Sequence, residues 1–151
     1  MTETFATLDE IRAAIGKEIG PSDPVVIEQE RINAFADATG DHQWIHLDAE
    51  RAAAGPFGTT IAHGFLTLSL IPMFSQSLYQ IGFGSSRVNY GCNKVRFPSP
   101  VPVGSTLRAT ATFVDLSEGS GGYVLTTKFA ITADGAAKPA CVAETITVLV
   151  P

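Results

Sequence analysis

Asp41, His42, His46 and Asp48 crowd the stretch GDHQWIHLD at residues 40–48, around Trp44, the sole tryptophan. An aspartate and a histidine held in one loop can share a water. The carboxylate orients it, and the imidazole, which titrates near neutrality, moves its proton. Asp41 and His46 are spaced so that a bent loop can aim both side chains into one cleft. The same residues also fit a solvated polar loop in which Asp41 and Asp48 act as caps. A metal site is the third arrangement, drawn from Asp41, His42, His46 and His63. Their spacing in irregular chain matches no standard zinc pattern and the cysteines are remote, so no metal is expected.

The second chemical element is TIAHGF at 60–65. A glycine in the first turn of a buried helix offers a backbone N–H that no earlier carbonyl claims, reinforced by the helix dipole. Without a Cβ, Gly64 lets a ligand carbonyl come close, which is the requirement for an oxyanion donor. Gly64 can equally serve tight helix–sheet packing, with His63 a satisfied boundary histidine. The third element is NKVRFPSPVPVG, where Lys94 and Arg96 alternate with Val95 and Phe97. These two cations are candidates for phosphate contacts at a cleft rim; protection of a sheet edge accounts for them as well.

The elements that must position these residues are readable from pattern. TLDEIRAAIG predicts a short helix with Thr7 and Glu10 as a capping box and Gly16 as its stop. PVVI at 24–27 predicts a strand, and EQERINAFADATG a second helix with Ile32, Phe35 and Ala36 inward and Gly40 just past its end. Asp48 is placed to cap AERAAAG. A long helix then runs from Ile61–Gly64 to Tyr79, kinked at Pro72 and apolar nearly all round, which calls for burial. Beyond it the period changes to two. A strand at 86–97 precedes three alternating stretches joined by the turns EGSGG and ADGAAK. Leu107, Ala109, Ala111 and Phe113 share one face. Tyr123, Leu125, Thr127, Phe129 and Ile131 share another, and Val142, Ile146, Val148 and Val150 a third. Helices followed by an antiparallel meander give an α+β fold in one domain over 1–151, with a sheet wrapping one long helix.

Composition sets the outer bounds. The chain has 151 residues, 45% of them apolar, enough for a real core, and a net charge of −5 that argues against nucleic acid as partner. No signal peptide is visible, and FLTLSLIPMF at 65–74 is too short to span a bilayer. Cys92 and Cys141 are expected as a buried, reduced pair, and the location as cytoplasmic. No serine sits in a nucleophile elbow and no phosphate-binding or dinucleotide glycine pattern occurs.

FADATGDHQWIHLDAERAAAGPFGTTIAHGF at 35–65 and VRFPSPVPVGSTL at 95–107 resemble the MaoC-like (R)-specific enoyl-CoA hydratases, also called hydratase 2. The likeness spans roughly 25–150 and extends to single-domain 3-hydroxyacyl-thioester dehydratases and the nodulation-protein-N-like branch. It implies the hot-dog fold, a dimer with sheets joined edge to edge, and Asp41 and His46 as the catalytic pair. It implies further that the Gly64 N–H binds the thioester carbonyl, and that the substrate is an enoyl thioester of CoA or acyl-carrier protein, with no metal or redox cofactor. Gln43 stands where the family usually has asparagine and Trp44 where it has proline. Gln43 keeps an amide to orient the water or the aspartate, while Trp44 either walls the acyl tunnel or packs under the loop. Two other functions remain open on the sequence: a hot-dog acyl-thioester hydrolase, and a non-catalytic acyl-binding protein that keeps the fold.

Overall fold

The computed structural model describes residues 1–151. Strand β1 (Glu3–Phe5) leads into helix α1 (Leu8–Ala14). The Thr7 hydroxyl accepts the Glu10 N–H and the Glu10 carboxylate reaches back to the Thr7 N–H, so the expected capping box is present. Strands β2 (Glu18–Ile19) and β3 (Val25–Val26) precede α2 (Gln29–Thr39), which ends at Gly40 in the left-handed region, φ 79°. Two short turns follow, α3 (Trp44–Leu47) and α4 (Ala49–Ala53), the second capped by the Asp48 carboxylate on the Arg51 N–H at 3.0 Å.

The long helix predicted over the middle of the chain is two pieces, α5 (Gly64–Ser69) and α6 (Ile71–Leu78), joined at Leu70. Pro72 has no N–H to continue the ladder, which breaks the helix one turn into its run. Burial is also less complete than the composition of this segment implies. Leu66, Leu70, Ile71, Phe74 and Leu78 are in the core, but Phe65 is 68% and Met73 42% exposed. The outer face carries Phe65, Pro72 and Met73 beside Ser69 and Gln76, uncovered by this chain.

Strand β4 (Tyr79–Ile81) pairs in parallel with β1. The main sheet is antiparallel, in the order β2, β6 (Thr106–Gly119), β7 (Gly122–Ala133), β8 (Cys141–Val150), β5 (Ser86–Arg96), with β3 also on β6. Its inner face wraps α5 and α6 around one core of 25 buried residues, the hot-dog arrangement. Phe113 sits at the middle of that core, edge to face with both Phe5 and Tyr79 at 5.1 Å between ring centroids. Burial there pushes the Tyr79 phenol up to about 12.

The rows expected to share a face in β6 and β7 do so, and they are the inward ones. In β8 the row Val142, Ile146, Val148 and Val150 does share a face, but the opposite row carries the core residues Cys141, Ala143 and Leu149. Pairing decides this: Ile131 lies beside Cys141 and Phe129 beside Ala143, so the inward row of β7 continues through odd-numbered residues of β8. The two cysteines are free, as expected, yet only Cys141 is buried; Cys92 is exposed on β5. No helix is long and apolar enough to cross a membrane.

Candidate functional site

Four consecutive residues, Ile61 to Gly64, register the site. The chain here crosses beneath α3, and the Ile61 N–H donates to the Ile45 carbonyl at 3.1 Å. In return the Ile61 carbonyl lies 2.7 Å from His46 Nδ1. A carbonyl only accepts, so Nδ1 carries a proton, and in the neutral ring Nε2 is the lone-pair nitrogen. His46 is 6% exposed, and its Nε2 faces the Asp41 carboxylate at 4.0 Å, the carboxylate itself being half exposed. The sequence pairing of Asp41 with His46 is therefore a spatial pairing.

His63 is the second member of the bracket. Its Nε2 lies 3.0 Å from the Asp41 main-chain carbonyl, and its ring stacks on that of His46 with centroids 3.8 Å apart. Gly64, the third, opens α5, so its N–H has no acceptor one turn back. A Cβ at this position would lie 2.9 Å from Phe97 Cδ2, because the residue following β5 folds its ring over the helix start. Glycine is required there by contact.

The remaining predicted residues divide. The Gln43 N–H donates to Asp41 Oδ1 at 3.3 Å, so this residue steadies the aspartate through its backbone. Trp44 packs away from the pair, under the guanidinium of Arg51 at 4.2 Å and against Gly55. Lys94 lies 3.7 Å from Glu144, and Arg96 folds back on the Val95 carbonyl at 2.7 Å; both are exposed on β5, Arg96 beside the Phe97 that covers Gly64. His42 is explained by Asp37, whose carboxylate sits 3.0 Å from its Nε2. That hydrogen bond raises the His42 pKa above its ordinary 6.5.

Sequence reasoning missed Gln29. It lies in the first turn of α2, where a polar residue raises no signal, yet its Nε2 donates to the His46 carbonyl at 2.8 Å and its Oε1 accepts the Thr60 hydroxyl at 2.7 Å. It ties the helix that precedes the loop to both sides of the site.

Ligand atoms of Asp41, His46 and His63 fall within 4.8 Å of one another. One nitrogen of each ring is, however, already taken, His46 Nδ1 by the Ile61 carbonyl and His63 Nε2 by the Asp41 carbonyl, and the rings lie stacked on each other. His42, the fourth residue of the metal reading, points to Asp37. A cavity of about 760 Å³ lies elsewhere, between α6 and the inner face of β5, β7 and β8, and includes none of Asp41, His46 or Gly64.

This geometry can be set beside known proteins. The family model for the MaoC like domain matches residues 10–133. The chain belongs to this family. A 3-hydroxyacyl-thioester dehydratase Z of Mycobacterium tuberculosis is 55% identical over 144 residues, covering 95% of each chain. Nodulation protein N of Rhizobium leguminosarum bv. viciae is 40% identical, over 95% of this chain and 91% of its own. Among solved structures, an R-hydratase from Pseudomonas aeruginosa superposes with TM-score 0.69 at 24% identity, over 89% of this chain and 81% of that one, which shows the shared fold.

Proposed function

We propose that this MaoC-like chain is an (R)-specific hydro-lyase that adds water reversibly to a trans-2-enoyl thioester, and in reverse dehydrates an (R)-3-hydroxyacyl thioester. The observation that carries the reading is the Asp41–His46 pair, with His46 Nε2 held as a lone-pair nitrogen 4.0 Å from the carboxylate. A single water can hydrogen-bond to both. The name of the 55% identical relative, a 3-hydroxyacyl-thioester dehydratase, supports the same chemistry.

In the hydration direction the thioester carbonyl accepts from the Gly64 N–H. His46 Nε2 takes a proton from water as the new C3–O bond forms. The C2=C3 electrons shift toward the carbonyl, where the enolate charge is met by a donor already oriented; losing such a donor typically costs about 3 kcal/mol. The pair then returns the proton to C2, with Asp41 as its path, so the net change is H and OH added across one double bond. His46 and Asp41 act as a coupled unit whose protonation states need not be separable. Addition of water involves no net oxidation, so the proposed chemistry needs no redox cofactor, and in this reading the Gly64 N–H supplies the carbonyl polarisation that a Lewis-acid metal would otherwise give. Gln43 orients Asp41. Lys94 and Arg96 are the candidates for phosphate contacts of a CoA or acyl-carrier-protein handle, and Trp44, packed under Arg51, is the candidate wall of the acyl side; His63, the other residue expected to meet substrate, is enclosed between His46 and Phe35 instead.

We place the enzyme in the cytoplasm as a homodimer of single-domain chains. Support for the dimer is β5, an edge strand of eleven residues of which ten are exposed, with Tyr90 at 76%. A long, exposed edge with unpaired backbone groups is a ready site for pairing with a second copy. The test is the loss of the conjugated enoyl-thioester absorbance with a short and a longer enoyl-CoA. It is expected in the wild type without thiol release, and abolished in folded Asp41→Asn and His46→Gln. Free thiol appearing in step with the reaction would mean a hydrolase, and activity surviving both substitutions would place the chemistry elsewhere.

A further inference from the structure

We propose that His63 is a positioning residue of the reaction, setting the Asp41 main chain through its Nε2–H and backing the His46 ring with a neutral aromatic face. The inference rests on the Asp41–His46 reading and goes beyond it, because His63 presents no group to the substrate. Its side chain is 3% exposed and lies between two rings, His46 at 3.8 Å and 24° and Phe35 at 4.9 Å and 56°. A stacked ring on one side and a tilted ring on the other fix the plane of the imidazole.

The tautomer follows from the partners. Nε2 lies 3.0 Å from the Asp41 carbonyl, which only accepts, so Nε2 is the protonated nitrogen. Nδ1 is buried without a partner. A proton on Nδ1 would be a buried donor with nothing to meet it, and would put a second positive charge against the ring that must accept a proton during turnover. The neutral Nε2–H form is thus the one that this packing supports.

Its consequence for the site is mechanical. Asp41 stands in an open loop between the end of α2 and α3, held by the Gln43 N–H to its own side chain and by His63 to its main chain. Both His63 and the carbonyl that fixes His46 belong to the Ile61–Gly64 bracket. Removing the His63 donor leaves His46 and Gly64 in register and frees only Asp41. The 4.0 Å spacing of the pair then depends on a mobile loop, and a misplacement near 1 Å costs a reacting system about 100-fold.

Two variants separate the donor from the ring. His63→Phe keeps an aromatic face and loses the Nε2–H; His63→Gln loses the ring and keeps an N–H donor of similar reach. His63→Phe is expected to lower kcat about 100-fold with KM changed less than about threefold, while His63→Gln recovers at least a tenth of wild-type kcat. A wild-type kcat in His63→Phe, or equal impairment in both variants, overturns the positioning role. In the unmodified protein, long-range proton–nitrogen correlation of His63 is expected to show a protonated Nε2. A protonated Nδ1 would overturn the assignment without any variant having to fold. Asp41→Asn and His46→Gln run in the same assay keep the two levels apart. Activity in those variants defeats the dyad, whereas their inactivity beside an active His63→Phe defeats this inference alone.

Discussion

His46 Nδ1 lies 2.7 Å from the carbonyl oxygen of Ile61, and this one hydrogen bond decides which nitrogen of the ring is available for chemistry. The bond crosses from a single helical turn to an extended segment, so neither element alone fixes the base. An asparagine at position 46 can place its Nδ2–H near the same carbonyl but carries nothing where Nε2 stood. His46→Asn is therefore expected to fold with a melting temperature within a few degrees of wild type. Its kcat/KM should fall by about 10²–10⁴, the usual contribution of a positioned base. Hydration rates beside thermal melts check this, and a stable variant of near-normal activity would remove His46 from the mechanism.

Gly64 and Phe97 make a paired prediction. A Cβ at residue 64 would meet the Phe97 ring at 2.9 Å, closer than real contacts allow. Gly64→Ala should lose about 1–3 kcal/mol by overpacking, along with at least about tenfold in kcat/KM because the carbonyl can no longer approach the N–H closely. Trimming the ring in Gly64→Ala with Phe97→Leu is expected to restore most of the stability and little of the activity. Recovery of both would mean that glycine serves packing alone.

How much of this was legible without coordinates depends on the reach of each interaction. The Thr7–Glu10 box, the Gly40 stop and the Asp48 cap are local, and the residue types declare them. The strands β1, β2 and β4 run two or three residues, too short for a period to appear. The inward face of β8 was hidden because its outer row is the more apolar one, rich in valine and isoleucine, and only pairing with β7 distinguishes them. At the site, type and spacing made Asp41, His46 and Gly64 candidates beside a plain polar loop and a packing glycine, and the family resemblance of 35–65 chose between them. The stack of His63 on His46 and the reach of Gln29 to the His46 carbonyl are made across 17 positions of sequence and leave no pattern.

His42 supplies a pH prediction with a definite sign. The hydrogen bond that His42 donates to Asp37, acting against a smaller opposing effect of desolvation, raises its folded pKa above 6.5. A raised pKa means that the fold favours the protonated form. The stabilisation is then fully present below 6.5 and fades as pH climbs through the higher folded value. Titration followed by NMR should give a His42 midpoint above 6.5 in the wild type and a lower one in Asp37→Asn. Because His42 and Asp37 are both exposed and their contact involves neither His46 nor Gly64, Asp37→Asn is expected to leave the rate close to that of the wild type. An unmoved midpoint would show that the contact at 3.0 Å is not maintained in solution.

Gln29 offers the sharpest test of positioning from a distance. Its amide joins the His46 carbonyl at 2.8 Å to the Thr60 hydroxyl at 2.7 Å, and Thr60 is itself buried next to the Ile61 whose carbonyl holds the base. Both ends of the His46 setting, main chain and ring, thus refer to one side chain on α2. Leucine has similar volume but neither donor nor acceptor, so Gln29→Leu leaves two polar groups without their partner at a cost of about 1–3 kcal/mol. The loss of kcat should be about tenfold or more, with KM little changed, because the substituted residue touches the base and never the substrate. Gln29→Glu keeps the acceptor for Thr60 but sets a carboxylate against the His46 carbonyl. It is expected to be at least as impaired as Gln29→Leu. If either variant lost stability while kcat stayed at wild type, the link from α2 would be scaffolding for the loop and would have no part in aiming the imidazole.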